Sequence, residues 1–170
     1  MSADTDSAPS PASIASRLAA LLYDLLITLA LLLVVALSAQ LATQARLIGM
    51  HGGHAQVPLL YQLLQMGVVC AYFVLSWMLG GQTIGARAWR LRVIAVGTSA
   101  APRVGRALLR AGSAALPLLA LLLGYLWPLR VALLAVAALW LIDYAALPFD
   151  RARRTLHDRL SGTRLVRLPR

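Results

Sequence analysis

Residues 18–40, LAALLYDLLITLALLLVVALSAQ, decide the fold of this 170-residue chain. The stretch contains ten leucines and a single charged residue, Asp24. A helix needs about 20 predominantly apolar residues to cross a bilayer, and one off-centre aspartate costs less than so many leucines contribute. The stretch therefore predicts a transmembrane helix.

The composition of the whole chain agrees with a membrane protein. Hydrophobic residues make up 60% of the chain and charged residues 13%, whereas soluble domains carry about 25% charged residues. This balance excludes a soluble enzyme and a disordered protein. A disulfide-stapled secreted domain is excluded as well, because Cys70 is the only cysteine of the sequence.

Three further apolar stretches follow the first one. The four predicted spans cover about residues 18–40, 57–80, 107–127 and 129–147. The last two are the shortest, so a three-span alternative joins them into one kinked helix. The distribution of the arginines decides between the two arrangements.

Every basic residue other than histidine is arginine, and four spans bring 14 of the 16 to one side of the membrane. Only Arg46 and Arg130 fall on the other side. Short loops rich in arginine stay in the cytoplasm. The chain is therefore predicted to be an all-α membrane protein, a four-helix transmembrane bundle with N and C termini cytoplasmic. We expect a multi-pass protein of the bacterial inner membrane.

The net charge of +10 is interpreted as a topology signal. Arginines near the cytoplasmic face also attract anionic lipid headgroups, so the lipid bilayer is an expected partner. Nucleic acid is not an expected partner, because such binding combines basic residues with stacking aromatics. Only Trp89 lies among the cytoplasmic arginines in that way.

The segments outside the spans are predicted to lie mainly in the cytoplasm. Residues 1–12 are rich in serine, alanine, aspartate and proline and are predicted to be disordered. Residues 13–168 form the membrane domain. The cytoplasmic loop covers residues 81–106, and the basic cytoplasmic tail covers residues 148–170.

The loop and the tail carry short structured elements. Residues 89–96 and 163–168 alternate between polar and apolar residues, which predicts two strands that pair into a small cytoplasmic β-ribbon. Residues 102–110 predict a short amphipathic helix with Arg103, Arg106 and Arg110 on one face. The ribbon is expected to tie the tail to the middle loop.

Two aspartates are predicted to lie inside the membrane near its cytoplasmic face. Arg17 and Asp24 are seven residues apart, so both project from one face of the first helix. Asp143 lies at a similar depth on the fourth helix, near a collar that contains Arg87 and Arg110. Intramembrane acids mark ion or proton paths, but an aspartate–arginine pair that only fixes the helix register explains the same residues.

Three motifs resemble those of the RDD family of small membrane proteins. They are residues 17–24 (RLAALLYD), residues 81–85 (GQTIG) followed by residues 91–93 (LRV), and residues 155–163 (TLHDRLSGT). The resemblance extends over about residues 14–168. It implies a membrane protein, and transport has been suggested for some members of the family.

The family is named for one arginine and two aspartates. The resemblance assigns the arginine to Arg17 and the first aspartate to Asp24. It assigns the second aspartate to Asp158, with Asp143 as the rival assignment. His157, which precedes Asp158 directly, is a further candidate partner of these acids.

No catalytic, metal or cofactor site is predicted, and the protein is not expected to be an enzyme. The serines inside the spans have no histidine at comparable depth to act as a base. His51 and His54 offer two ligands, fewer than a structural zinc site needs. His157 and Asp158 have no second pair of ligands beside them in the sequence.

Two functions remain open. The first is a cation or proton transport component that uses the intramembrane aspartates, expected to be a homo-oligomer because four short helices enclose little space. The alternative is a non-catalytic membrane subunit or scaffold that docks a partner through its basic cytoplasmic loops.

Overall fold

The computed structural model describes residues 10–44, 49–51 and 54–169. The helices are α1 (Ile14–Ala42), α2 (Leu59–Gly80), α3 (Ile84–Ala88), α4 (Val104–Ala115), α5 (Leu129–Ala145) and α6 (Leu156–Leu160). The strands are β1 (Ser10–Pro11), β2 (Gly49–His51), β3 (His54–Gln56), β4 (Leu91–Ala95) and β5 (Thr163–Arg167). A 3₁₀ helix, Leu116–Tyr125, continues directly from α4.

Three helical stretches are long and apolar enough to cross a membrane: α1, α2 and the run Val104–Leu121. Their leucines face outward; Leu60 is 80% exposed and Leu79 is 86% exposed. Apolar surface of this extent is rare on soluble monomers, so these helices indicate a membrane protein. The fourth predicted span corresponds to α5, whose 17 residues are one fewer than the shortest of the three.

Helix α1 begins four residues earlier than the predicted span. Ser13 is the N-cap residue, and its side chain accepts a hydrogen bond from the backbone N–H of Ser16 at 3.2 Å. Serine at this position satisfies one of the N–H groups that the first turn of a helix leaves unpaired. The extra turn carries the helix beyond its leucine-rich part.

Gly81 is the C-cap residue of helix α2, and its backbone has a φ of 73°. A Cβ at this position would lie 2.5 Å from the backbone oxygen of Val93, so both the conformation and the space require glycine. The Gly81 oxygen accepts a hydrogen bond from the Val93 N–H at 2.6 Å. The end of α2 is thereby attached to β4.

The third predicted span, residues 107–127, consists of two kinds of helix. Helix α4 ends at Ala115 and the 3₁₀ helix follows. Pro117 lies at this change. A proline ring clashes with the carbonyl of the residue four positions earlier, and its nitrogen has no hydrogen to donate. The proline therefore explains why the regular α-helix ends here.

The predicted β-ribbon is confirmed. Strands β4 and β5 pair antiparallel, with Leu91 opposite Arg167 and Ala95 opposite Thr163. A third strand, β1, pairs with the other edge of β5, so the strand order is β1-β5-β4. The sheet therefore joins segments from the start, the middle and the end of the chain.

The prediction that residues 1–12 are disordered is wrong for residues 10–12; residues 1–9 lie outside the described part of the chain. Residues Ser10–Pro11 form β1, and Ala12 is buried and donates its N–H to the Leu165 oxygen at 3.3 Å. The physical reason is the free edge of β5, whose backbone groups need hydrogen-bond partners. Composition alone does not reveal such an edge.

The predicted amphipathic helix is present as α4, but its arginines do not share an exposed face. Arg103 precedes the helix as its N-cap residue, Arg106 is exposed, and Arg110 is buried. Arg110 turns inward because an aspartate remote in the sequence pairs with it. A helical projection of residues 102–110 contains no information about that partner.

The core lies where the sheet packs against the ends of the helices. One apolar cluster joins Val74 and Trp77 of α2 with Val93 of β4 and Ala107 of α4. Leu165 of β5 packs against the same cluster. The sheet therefore holds α2 and α4 together at one end of the helices.

Candidate functional site

The described chain contains four aspartates, and the two most buried, Asp158 and Asp24, form separate clusters. The Asp158 cluster consists of Asp158 with Arg17, Arg110, Thr155 and Thr163. The side chain of Asp158 is fully buried on α6. Its Oδ2 accepts a hydrogen bond from Arg17 Nη1 at 3.1 Å, and its Oδ1 accepts one from Arg110 Nη1. Each carboxylate oxygen therefore has its own guanidinium.

Asp158 also holds the start of α6. Thr155 is the N-cap residue and accepts a hydrogen bond from the Asp158 N–H, and Asp158 Oδ2 accepts one from the Thr155 N–H at 3.2 Å. This is a capping box, in which reciprocal hydrogen bonds between the N-cap residue and the third helical residue stabilise the start of a helix. The same carboxylate thus shapes its own helix and binds two remote arginines.

Arg17 connects distant parts of the chain. Besides Asp158 it donates to three backbone oxygens, those of Ala12 at 3.3 Å, Arg153 at 2.8 Å and Leu165 at 3.5 Å. These oxygens belong to the segment before α1, the segment before α6 and strand β5. One buried guanidinium therefore connects these three segments to the first turn of α1.

Arg110 reaches Asp158 from α4. Its Nη1 also donates to Thr163 Oγ1 at 2.8 Å, and its Cζ lies 5.0 Å from the centre of the Trp77 ring. A guanidinium over an indole face is attracted by the ring quadrupole, whose negative part lies on the face of the ring. The indole therefore contributes to holding Arg110 in place.

Two guanidiniums decide the protonation of Asp158. Burial acts to raise the pKa of this carboxyl, but its interactions with Arg110, His157 and Arg17 outweigh burial and hold the pKa well below its ordinary value. Asp158 is therefore ionised throughout the neutral range. The cluster is a permanent network of ion pairs.

A second acid, Asp143 of α5, borders this cluster through His157. The backbone N–H of His157 donates to Asp143 Oδ1 at 2.9 Å, and its ring Nδ1 lies 2.6 Å from Asp143 Oδ2. Because a carboxylate only accepts, Nδ1 carries the hydrogen. Nε2 lies 3.8 Å from Asp158 Oδ1. The imidazole therefore lies between two carboxylates, and we call Asp143 and His157 the dyad.

The Asp24 cluster consists of Asp24, Tyr72, Thr83 and Gly85. Asp24 Oδ1 accepts hydrogen bonds from the Tyr72 hydroxyl at 2.6 Å and from the Gly85 N–H at 2.9 Å. Oδ2 accepts one from the Thr83 hydroxyl at 2.6 Å. Within the described residues no arginine or histidine lies at ion-pair distance from this carboxylate. All its donors are neutral.

The hydroxyls of this cluster extend its hydrogen bonds into α3. Tyr72 Oη accepts from the Ile84 N–H at 3.2 Å, and Thr83 Oγ1 accepts from the Ala86 N–H at 3.1 Å. Three successive N–H groups at the start of α3 thus point to Asp24, one directly and two through a hydroxyl. These groups are the ones that a helix start leaves without partners.

Gly85 permits this arrangement because α3 crosses α1 in close contact. A Cβ on Gly85 would lie 2.2 Å from the Ala20 oxygen and 2.8 Å from Asp24 Cγ. No side chain larger than hydrogen fits there without moving the helices apart. The glycine therefore sets the distance between the Gly85 N–H and Asp24.

The structure brings Arg17 and Asp24 to one buried face of α1, as their spacing predicts, together with Thr28. It does not pair them: Arg17 binds Asp158, and Asp24 binds neutral groups. Asp143 has His157 as its partner. These are the acids and partners singled out from the sequence, in combinations that spacing along one helix does not reveal.

Arg87 is the predicted partner that the structure does not bring to an aspartate. It is exposed, and it makes no ion pair within residues 10–44, 49–51 and 54–169. It lies at the end of α3 beyond the turn that faces Asp24. Arg110, by contrast, is buried against Asp158.

Sequence reasoning missed the neutral residues of both clusters. Thr83 and Gly85 lie in the GQTIG motif, so a threonine that caps a short helix was a usable signal. Thr163 lies in the motif of residues 155–163. Tyr72 and Trp77 gave no comparable signal, because each acts through a partner on another element. In the part of the chain that the structure describes, no three histidine, cysteine or acidic side chains lie together as metal ligands.

A search of curated proteins and a search of solved structures each gave no match to this chain. The model of the RDD family matches residues 11–162, which extend from β1 to the turn before β5. The match includes Arg17, Asp24 and Asp158, and it covers most of the chain. The chain belongs to the RDD family.

Proposed function

We propose that this protein is a component of proton- or cation-coupled transport in the bacterial inner membrane and that Asp24 binds the ion. The observation that carries the proposal is the burial of Asp24 within a candidate span among neutral donors only. Its negative charge has no cationic side chain beside it within the described residues. Asp158 differs in this respect.

The cost of this charge supports an ion-binding role. Asp24 lies ten residues after the start of α1, about 15 Å along the helix axis. An ionised carboxylate has about four acceptor sites, and neutral donors occupy three of them here. A bound proton or monovalent cation would remove the uncompensated charge, and charged groups inside membranes mark such paths.

The dyad supplies a second group for the same function. Histidine is the side chain that changes charge near neutral pH, whereas the hydroxyls around Asp24 and the guanidiniums around Asp158 do not. Asp143 and His157 are each 12% exposed in their side chains, so neither is sealed inside the protein. In the proposal the dyad exchanges protons with the cytoplasm.

The sheet supports four crossings of the membrane. Strand β1 precedes α1, β4 follows α2, and β5 follows α5, yet all three strands pair in one sheet. Two segments lie on the same side of a membrane only after an even number of crossings. If α4 with its 3₁₀ extension crosses between β4 and β5, α5 crosses as well, and its 17 residues are enough for a short span.

Arginine distribution supports a cytoplasmic location of this sheet. The loop and the tail that carry β4 and β5 contain most of the arginines of the chain. Both termini then lie in the cytoplasm. Since four short helices enclose little space, a homo-oligomer is part of the proposal.

Ion flux into vesicles tests the proposal. The native protein, Asp24→Asn and Asp150→Asn are reconstituted, and proton movement is followed with a pH-sensitive dye while sodium or potassium gradients are imposed. We expect flux from the native protein and from Asp150→Asn and none from Asp24→Asn. Asp150 is a matched control because its partners Arg154 and Arg159 lie outside the helices that span the membrane in the proposal.

Circular dichroism and gel filtration establish that each variant is folded. A folded native protein without flux in any gradient would overturn the proposal. If folded Asp24→Asn gives the same flux as the native protein, the role of Asp24 is overturned.

The alternative function is a scaffold, and the exposed arginines of the loop and tail favour it. Arg103, Arg106 and Arg151 are exposed and make no ion pair within the described chain. A variant with glutamine at all three positions leaves both aspartate clusters intact. If docking is the function, this variant loses a protein that co-purifies with the native chain, and no variant shows flux.

A further inference from the structure

We infer that a groove between the end of α2 and α3 binds the phosphate of an anionic phospholipid. The groove has a volume of about 250 Å³ and is lined by Ser76, Leu79, Gly80, Gln82, Ile84 and Arg87. It lies beside the Asp24 cluster and contains none of its four residues. The inference goes beyond the transport function and does not depend on it.

Charge is the first argument for a phosphate. Arg87 lines the groove and is exposed, and it makes no ion pair within the described residues. A guanidinium offers two parallel N–H groups that match two oxygens of a phosphate. The acids of the two clusters have other partners, so Arg87 remains available to an external anion.

The apolar part of the groove is the second argument, and it selects a lipid. Leu79 is 86% exposed and Ile84 is 55% exposed, and both line the groove beside Arg87. A free phosphate uses only the guanidinium. A phospholipid also covers the two aliphatic side chains with its acyl chain, and burial of apolar surface adds affinity.

Position along the membrane normal is the third argument. Helix α2 is a candidate span, and it ends at Gly80, which is part of the groove. The end of a span lies at the level of the lipid headgroups. Trp89, two residues after Arg87, is partly exposed, and tryptophan is enriched at this level. Basic pockets beside spans on the cytoplasmic side bind anionic headgroups in other proteins.

The groove also contacts the Asp24 cluster through one residue. Ile84 lines the groove, and its backbone N–H donates to the Tyr72 hydroxyl, which donates to Asp24. A lipid in the groove would therefore lie one hydrogen bond away from that cluster. This gives the lipid a route to affect the geometry around Asp24.

Native mass spectrometry of the purified protein with added lipid tests the inference. Phosphatidylglycerol and phosphatidylcholine with the same acyl chains are compared for the native protein, Arg87→Gln and Arg103→Gln. We expect the native protein to retain phosphatidylglycerol preferentially. Arg87→Gln should weaken this retention about tenfold, the loss expected for a hydrogen bond to a charged group. Arg103→Gln, which removes an exposed arginine outside the groove, should retain it like the native protein.

Leu79→Asn is the second variant and removes the apolar wall while Arg87 remains. It should weaken retention of phosphatidylglycerol as well, and added inorganic phosphate should not displace the lipid. Equal losses in Arg87→Gln and Arg103→Gln would overturn the inference, because they indicate diffuse attraction to all arginines. Displacement by inorganic phosphate, equal retention of phosphatidylcholine, or a change of oligomeric state in Arg87→Gln would also overturn it.

Discussion

The Asp158 cluster and the Asp24 cluster bury the same side chain in two different ways. Asp158 accepts hydrogen bonds from two guanidiniums and one backbone N–H, whereas Asp24 accepts them from two hydroxyls and one backbone N–H. The number of donors is the same and their charge is not. One carboxylate lies between two guanidiniums, and the other has only neutral donors within the described residues.

The two clusters also join different parts of the chain. The Asp158 cluster connects α1, α4, α6 and β5. Of these, α1 lies near the start of the sequence and β5 near its end. The Asp24 cluster connects α1, α2 and α3, which follow one another. The ion pairs of the first cluster therefore join elements that are far apart in the sequence. The neutral hydrogen bonds of the second cluster hold the start of α3 against α1.

The largest effect is expected from Asp158→Asn. This change leaves Arg17 and Arg110 buried without their shared counter-charge, which destabilises a protein by about 3–5 kcal/mol. Thermal unfolding in detergent, followed by circular dichroism, measures the loss. Asp24→Asn removes no partner of an arginine and should cost less. Equal stability of the two variants would contradict the distinction between the clusters.

A smaller effect is expected from Gly85→Ala. The added Cβ would lie 2.2 Å from the Ala20 oxygen, so α3 must move away from α1, and overpacking of this kind costs about 1–3 kcal/mol. The same thermal unfolding measures it. Gly105→Ala on α4 is the matched control, because no atom lies within 4 Å of a Cβ there.

Gly105 is the second residue of α4, and alanine forms helix more readily than glycine, so Gly105→Ala should be as stable as the native protein or slightly more stable. An unchanged melting temperature in Gly85→Ala would show that the contact between α1 and α3 yields easily. The donors of Asp24 would then not depend on this glycine.

The smallest effect concerns the carboxylate of Asp150, which pairs with arginines near the surface. The hydrogen bond from Arg154 lowers the pKa of Asp150 to about 2, below the value of about 3.9 in an unfolded chain. The unfolded chain therefore binds more protons between these values, so the contribution is complete above about pH 4 and is lost as the pH falls through about 2. Exposed pairs contribute less than about 1 kcal/mol.

Melting temperatures of the native protein and Asp150→Asn from pH 7 to pH 2 measure this contribution. The difference between them should shrink as the pH falls below about 4. The pKa of Asp158 is lowered in the same direction, so Asp158→Asn should show its full loss at neutral pH. A difference for Asp150→Asn that grows on acidification would contradict the assigned sign.

Much of the fold could be predicted from local patterns in the sequence. The apolar stretches around α1, α2 and α4, and the alternation in β4 and β5, each depend on residues that are close together in the chain. Strand β1 at Ser10–Pro11 does not follow from local patterns, because it depends on pairing with the edge of β5, more than 150 residues later. The inward turn of Arg110 was missed for a similar reason.

The candidate site could be predicted as a set of residues but not as a set of contacts. Arg17, Asp24, Asp143 and Asp158 were all singled out, since charges in or beside apolar stretches stand out in a sequence. Their partners follow from the fold: Arg17 meets a carboxylate 141 positions away. Tyr72 lies in an apolar helix, and only the fold brings its hydroxyl to Asp24.

The sequence by itself determined where the chain prefers lipid to water, because the transfer of apolar side chains from water is a sum over neighbouring residues. It also determined where the arginines collect. Which aspartate receives guanidiniums and which receives only neutral donors depends on the tertiary structure. The reason is that hydrogen bonds and ion pairs act over a few ångströms, so they depend on which remote side chains the fold brings together.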